Sequence, residues 1–132
     1  DKIRAIIKNN GLSDMATFLG WVKGAEKDRI MATSDVLVLP SYFEGMPICI
    51  LEAMTYAIPV ITTPVGGIPE IMTDGIEGTF ITPGDKNALT QAIDMYLEHP
   101  ELLKAQGQAG YSHSQQFLPG NITARLASII GK

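Results

Sequence analysis

Residues 36–47 read Val-Leu-Val-Leu-Pro-Ser-Tyr-Phe-Glu-Gly-Met-Pro, an apolar run that breaks into a loop. The run itself, residues 36–39, does not alternate apolar with polar side chains, which is typical of a strand covered on both faces. It therefore predicts a central strand of a parallel sheet. Proline is favoured at the first position of a helix, so Pro47 predicts that the chain continues as a helix over residues 47–56.

Two further strands are predicted, one over residues 58–63 and a weaker one over residues 79–82. Strands and helical segments then follow the order β-α-β-α-β, which indicates an α/β fold with a Rossmann-like parallel sheet and flanking helices. Amphipathic spacing after the turn at residues 83–85 predicts terminal helices within residues 86–132.

The N-terminal part of the chain gives a weaker pattern. Residues 3–7 carry isoleucines at helical spacing and precede a helix stop at Gly11. A short apolar segment follows at residues 16–19, and a polar helix is predicted over residues 26–33. In the strand order 3-2-1-4-5-6 of doubly wound folds, residues 16–19 would be the third strand and residues 36–39 the fourth.

The composition limits the class of protein. A chain of 132 residues with 45% hydrophobic side chains is long enough for one cored domain and is not disordered by composition. Its formal charge of -4 argues against a nucleic-acid-binding surface. No segment approaches the roughly 18 consecutive apolar residues of a membrane span. The single Cys49 excludes an internal disulfide and a thiolate metal cluster, so we expect a cytoplasmic location.

The loop after residue 39 is where a ligand is expected, because ligands of open α/β sheets bind beyond the carboxyl ends of the strands. Gly45 lets a ligand approach the backbone closely. The helix that begins at Pro47 would present unpaired N–H groups, from Met46 to Ile50, to an anion. This arrangement predicts a site for a diphosphate.

Two glutamates lie beside this helix start. Glu44 precedes it in the loop, and Glu52 shares a helical face with Ile48, with a side chain that leans back toward the helix N-terminus. Two carboxylates would repel a phosphate, but carboxylates accept hydrogen bonds from vicinal hydroxyls. We therefore assign Glu52 to the ribose diol of a nucleotide sugar and Glu44 to its sugar. The alternative is that both are solvated surface charges, Glu52 being stabilised by the helix dipole.

Other candidate sites are weaker. Residues 64–70 contain the pair Gly66-Gly67 and could cradle a phosphate, but the pair lacks the G-x-G-x-x-G spacing, so a structural turn is favoured. His99 and His113 have no partner at metal-ligand or triad spacing, and we predict both to be surface residues. The sequence contains no D-x-D pair. We therefore predict neither a metal nor a cofactor.

The segment of residues 44–52, Glu-Gly-Met-Pro-Ile-Cys-Ile-Leu-Glu, closely resembles the E-x7-E motif of family 4 (group 1) glycosyltransferases with the GT-B fold. Further segments look like the C-terminal domain of that family and occur in the right order: residues 18–22, 34–41, 52–61, 66–71, 74–75 and 83–85. The resemblance covers nearly the whole chain. It implies the C-terminal half of a GT-B fold, which binds the donor nucleotide sugar.

The resemblance also implies an activity and a set of site residues. The activity is that of a retaining glycosyltransferase, which moves a hexose-type sugar from a nucleotide-diphosphate donor to a hydroxyl acceptor. Glu44 would contact the donor sugar and Glu52 the ribose, in agreement with the assignment made above from the residues. The other donor-binding positions implied are backbone groups of Gly45, Met46, Pro47 and Ile48, with the nucleobase near Trp21 and Val22.

The chain departs from the family pattern in two ways. In relatives, two more strands open the domain, and the loop after the first carries an Arg and a Lys that neutralise the diphosphate, but nothing before Ile3 matches them. Between Asp35 and Asp85 there is no Lys or Arg at all. We therefore expect residues 1–132 to be a single partial domain that lacks its first strands and is inactive alone.

Two partner predictions follow from these departures. An acceptor sugar or lipid would bind through an N-terminal domain that this chain lacks. Without the first strands, residues 36–39 would become a sheet edge with unpaired N–H and C=O groups, so we expect the isolated chain to self-associate.

Two alternatives to the glycosyltransferase interpretation are open. A non-catalytic α/β packing or interaction module of the same fold is favoured by the lack of basic residues, whereas the intact loop from Glu44 to Glu52 favours the glycosyltransferase. A sugar-nucleotide epimerase on this fold is a third possibility, but the catalytic carboxylates and histidine usual in such enzymes are not evident.

Overall fold

The computed structural model describes residues 1–131, and the chain divides into two compact units, residues 1–30 and the remainder. The first unit contains helix α1, Lys2–Asn9. Asp1 caps this helix by accepting a hydrogen bond from the Ile3 N–H, and Gly11 follows the helix end with a φ of +67°, which L-residues rarely adopt. The predicted first helix and its stop are therefore confirmed.

The third strand predicted at residues 16–19 is wrong, because this segment is irregular and pairs with no strand in the part of the chain described. A strand is held by a hydrogen-bonded neighbour, and the sheet that would supply one belongs to the second unit. Phe18 instead packs under the guanidinium of Arg4, which lies 4.0 Å from its ring centroid.

The second unit is built on a parallel three-stranded sheet of β1 (Leu37–Leu39), β2 (Val60–Thr62) and β3 (Gly78–Phe80), in the order β1-β2-β3. All three predicted strands are confirmed, each shorter than predicted. In register, Leu37 of β1 faces Val60 of β2.

The position of β1 in the sheet agrees with the expectation for this chain. It is an edge strand, and among the described residues no strand pairs with its outer side, which confirms the prediction that residues 36–39 form a sheet edge here. Leu37 and Leu39 are half-buried while Val38 is 37% exposed. The apolar run indicates burial on both faces, but burial also needs neighbours that these residues do not supply. Self-association through this edge stays a prediction.

Within residues 1–131, six α-helices follow α1, and their bounds are α2 Gly24–Ala32, α3 Ile48–Thr55, α4 Ile68–Ile71, α5 Lys86–Glu98, α6 Pro100–Ser114 and α7 Pro119–Ile130; a short 3-10 helix, Gln115–Phe117, lies between α6 and α7. The prediction of terminal helices after residue 86 is thus confirmed, and the described residues form three of them, α5, α6 and α7. Proline opens both α6 and α7, which explains the breaks, since proline suits the first helical position and disrupts a helix interior. None of the described helices combines the length and apolar character needed to cross a bilayer.

The core of the second unit lies on both faces of the sheet. Val60 and Ile61 of β2 are fully buried and point to opposite faces, because side chains alternate along a strand. Val60 belongs to a cluster with Ile50 and Met54 of α3, and Ile61 belongs to a second cluster with Tyr96 of α5. Helices therefore cover both faces of the sheet, as expected for a Rossmann-like fold.

Candidate functional site

The loop after β1, residues 40–47, orients Glu44, one of the two glutamates predicted to bind the donor. The Ser41 hydroxyl donates a hydrogen bond of 2.5 Å to Glu44 Oε1, and both residues are half-buried. Hydrogen bonds to charged acceptors are among the stronger ones in proteins. Glu44 is thus held within the loop and does not project freely into solvent.

Two threonines at the end of β2 hold this loop by hydrogen bonds. Thr62 Oγ1 donates to the Leu39 carbonyl at 2.8 Å, and Thr63 Oγ1 donates to the Ser41 carbonyl at 2.6 Å. Both threonines are fully buried, so their hydroxyls require such acceptors. The loop after β1 is therefore held by two hydrogen bonds from the end of the central strand and the residue that follows it.

The turn at Gly66 and Gly67 supports the same loop from its other side. The Gly67 N–H donates to the Gly45 carbonyl at 2.7 Å. Gly66 has a φ of +57°, and a Cβ at this position would overlap the Glu44 carbonyl oxygen. The N–H of Gly67 is used within the protein, which favours a structural turn over a phosphate cradle.

The segment that joins the loop to α3 is open to solvent. Gly45 and Met46 are exposed, Ile48 is 67% exposed, and a Cβ built on Gly45 would meet no atom within 4 Å. Pro47 is buried and immediately precedes α3, so the helix begins one residue later than predicted. Gly45, Met46 and Ile48 are thus accessible to a ligand at the start of the helix. The predicted run of unpaired N–H groups is shorter than expected, because Pro47 has no N–H and the Ile50 N–H donates to the Pro47 carbonyl at 3.1 Å.

Cys49 lies in the electrostatic field of both glutamates. Burial raises the pKa of its thiol, the negative charge of Glu44 raises that pKa further, and Glu52 adds a smaller effect of the same sign. The thiol is therefore kept protonated near neutral pH and is a poor nucleophile.

Glu52 is half-buried on α3 and also faces a small cavity of about 150 Å³. The other residues around that cavity are Leu51, Thr55, Ser114, Phe117 and Leu118. Glu52 is thus not a fully solvated surface charge.

A second cavity, of about 220 Å³, opens beyond the carboxyl ends of the strands. Tyr42 of the loop after β1 lines it together with Asp85 and Lys86 from the start of α5. Lys86 is the first basic residue after the motif. It lies one residue past the interval that lacks Lys and Arg, so the motif spacing does not indicate it.

The two residues implied for the nucleobase belong to the first unit. Trp21 is 92% exposed, and Val22 is half-buried. Their part in nucleobase binding stays a prediction, as do the roles of the other site residues.

His113 corrects the prediction of a surface residue. Its Nδ1 lies 2.7 Å from Glu77 Oε1, and Glu77 is only 4% exposed. The Thr73 N–H donates to the other oxygen, Glu77 Oε2, at 2.7 Å. The two partners are 36 residues apart, so no local pattern could indicate the pair. His99 is exposed and its side chain pairs with Glu101, which confirms its surface position.

Within residues 1–131, no three side chains of His, Cys, Asp or Glu come together as a metal site would require. Independence from metals stays a prediction.

Comparison with known proteins identifies relatives over most of the chain. The family model "Glycosyl transferases group 1" matches residues 1–113. The D-inositol 3-phosphate glycosyltransferase of Streptomyces griseus is 30% identical over 107 residues, which is 81% of this chain and 23% of that protein.

Two solved structures share the fold. Anabaena HepE in complex with UDP superposes with a TM-score of 0.86 at 26% identity, over 98% of this chain and 36% of that one. The C-terminal domain of the group 1 glycosyl transferase LpcC from Francisella tularensis gives 0.79 at 27% identity, over 87% and 60%. This chain thus spans about a quarter to a third of the length of relatives such as the Streptomyces and Anabaena proteins.

Proposed function

Because this chain belongs to the group 1 glycosyl transferases, we propose that it binds the nucleotide-diphosphate sugar of a retaining glycosyltransferase that moves a hexose-type sugar to a hydroxyl acceptor. One observation carries the proposal. Glu44 is fixed by Ser41 beside an exposed Gly45 backbone at the start of α3, and Glu52 follows on that helix at the E-x7-E spacing.

Each part of the donor has its own partner in this proposal. Backbone N–H groups at the start of α3 attract the diphosphate, because a helix N-terminus carries partial positive charge. Glu44 orients the transferred sugar, Glu52 accepts hydrogen bonds from the ribose hydroxyls, and Trp21 and Val22 lie near the nucleobase. The complex of HepE with UDP supports a nucleotide ligand for this fold.

The rest of the reaction lies outside these residues. The acceptor, a sugar or a lipid, binds through another domain of a longer protein, in keeping with the share of its relatives that this chain covers. A cytoplasmic location is part of the proposal and fits the single, half-buried Cys49.

A non-catalytic module of the same fold is the second candidate. It is favoured by the absence of Lys and Arg between Asp35 and Asp85, since a departing nucleoside diphosphate needs positive charge. Lys86 is the one basic group that borders the cavity beside Tyr42, so it is the natural source of such charge within the second unit.

The two glutamates are expected to give different defects in the full-length enzyme. Glu52→Ala should weaken nucleoside diphosphate binding by about tenfold or more, because the ribose loses a charged hydrogen-bond acceptor. Glu44→Ala should impair sugar transfer and leave nucleotide affinity nearly unchanged. Calorimetry with UDP and GDP measures the affinities, and Glu98→Ala, which removes an exposed glutamate near the end of α5, serves as the control. Equal losses of affinity in the two variants would contradict the assignment.

Sugar transfer by the full-length enzyme is expected to survive removal of divalent metals. The chain has no D-x-D pair, so backbone N–H groups, and not a metal, would stabilise the negative charge of the diphosphate. Turnover measured with and without EDTA checks this, with the chelator's effect on protein folding monitored by circular dichroism. Activity that EDTA abolishes and that magnesium or manganese restores would refute this part of the proposal.

A further inference from the structure

We propose that Ser41 is a positioning residue for Glu44, which sets the direction in which the carboxylate meets the donor sugar. This inference rests on the proposed function of Glu44. It adds a residue that makes no contact with the donor itself and acts through the glutamate.

The contact that carries the inference is the hydrogen bond of 2.5 Å from the Ser41 hydroxyl to Glu44 Oε1. A glutamate side chain has several rotatable bonds, so an unsupported carboxylate samples many directions. A bond to one oxygen restricts these rotations and leaves the other oxygen, Oε2, as an acceptor for a sugar hydroxyl. Ser41 therefore selects one orientation of Glu44.

Ser41 can act as a support only if it is itself fixed. Its carbonyl oxygen accepts a hydrogen bond of 2.6 Å from Thr63 Oγ1, and Thr63 is fully buried. Thr63 directly follows β2, the central strand, whose three residues are all buried. The backbone that carries the Ser41 hydroxyl is thus held by a fully buried threonine at the end of the central strand.

The backbone after Glu44 is fixed independently. The Gly67 N–H holds the Gly45 carbonyl at 2.7 Å, and Gly66 passes so close to the Glu44 carbonyl that no Cβ would fit between them. With the backbone of Glu44 held, the remaining freedom is that of its side chain. Only Ser41 hydrogen-bonds that carboxylate among the described residues.

The functional consequence concerns orientation and not nucleotide binding. Catalytic groups must be held close to the productive geometry, and small displacements reduce the rate of the chemical step. Loss of the Ser41 hydroxyl should therefore lower kcat for sugar transfer, while the affinity for the nucleoside diphosphate, which Glu44 does not contact, should persist.

The test uses the full-length enzyme and the sugar nucleotide that it turns over fastest among UDP-glucose, UDP-N-acetylglucosamine and GDP-mannose. Ser41→Ala should lower kcat about tenfold, as expected for a lost hydrogen bond to a charged group. Ser128→Ala is the matched control, because that hydroxyl is exposed and bonds only to a carbonyl within α7. Ser41→Thr and Ser41→Val form a second pair of nearly equal shape, in which only threonine keeps the hydroxyl.

Ser41→Ala is also combined with Glu44→Ala. If Ser41 acts through Glu44, its removal has no further effect in the Glu44→Ala background, and the calorimetric affinity for UDP or GDP stays at the wild-type level. Retention of kcat by threonine and its loss in valine would support the inference even if the alanine variant folds poorly.

Three results would overturn the inference. The first is a kcat of Ser41→Ala equal to that of Ser128→Ala while Glu44→Ala impairs transfer, which would leave the proposed function intact. The second is an equal loss of kcat for Ser41→Ala with and without Glu44. The third is normal transfer by Glu44→Ala, which would overturn the proposed role of Glu44 and this inference together.

Discussion

Replacement of Gly107 with alanine is expected to destabilise the chain by about 3 kcal/mol, the upper range for overpacking a well-packed interior. Gly107 is buried in α6, and a Cβ there would overlap the carbonyl oxygen of Ala57 and lie 2.9 Å from its carbonyl carbon. Ala57 has little room to move. Its φ is +56°, which alanine rarely adopts, and its N–H is bound to the Met54 carbonyl at 3.0 Å.

The control for this prediction is Gly120→Ala, which makes the same change in α7 where a Cβ would meet no atom within 4 Å. Alanine has a higher helix propensity than glycine, so the free energy of unfolding of this variant should be unchanged or higher by less than about 1 kcal/mol. Urea denaturation of the 132-residue chain, followed by circular dichroism, measures both free energies of unfolding. A Gly107→Ala variant as stable as Gly120→Ala would show that the close contact between α6 and Ala57 does not exist.

Met54→Ala is expected to cost about 3 kcal/mol of unfolding free energy, within the usual range for truncating a buried methionine. Met54 is fully buried in α3 and belongs to the larger core cluster. Truncation removes its apolar contacts and leaves a cavity between α3 and α6. Met15→Ala is the control, because Met15 is 84% exposed and its loss should change the stability by less than about 0.5 kcal/mol.

A second substitution can locate that cavity. A Cβ on Gly110 of α6 would lie 3.2 Å from Met54 Cγ, so Gly110→Ala alone should be crowded. In the Met54→Ala background the same methyl group enters the space left by the methionine, and its cost should disappear or become a gain. Equal costs of Gly110→Ala in the two backgrounds would place the cavity elsewhere.

Much of the fold could be predicted because strands and helices have local periods. The strands at residues 37–39 and 60–62 lie inside runs of apolar residues, and α3 follows the proline that predicted it. The segment from Glu44 to Glu52 was assigned from its spacing. These features depend on residues that are neighbours in the chain, so their patterns are visible in the sequence.

The errors occurred where a residue depends on a distant partner. Residues 16–19 are apolar enough for a strand, but they form none, because no neighbouring strand is available within their unit. His113 was predicted to be a surface residue, but α6 places it in contact with the buried Glu77.

The sequence by itself determined the element types, the α/β class and the family, since these depend on local periods and on motif spacing. Only the tertiary structure decided which groups support Glu44. Thr63 reaches the Ser41 carbonyl across 22 residues of chain, and Gly66 reaches the loop of Glu44 through a turn that begins a different helix. The physical reason is that parallel pairing of β1 with β2 brings the carboxyl ends of both strands to one edge, and it is the packing of the sheet that joins two loops far apart in sequence.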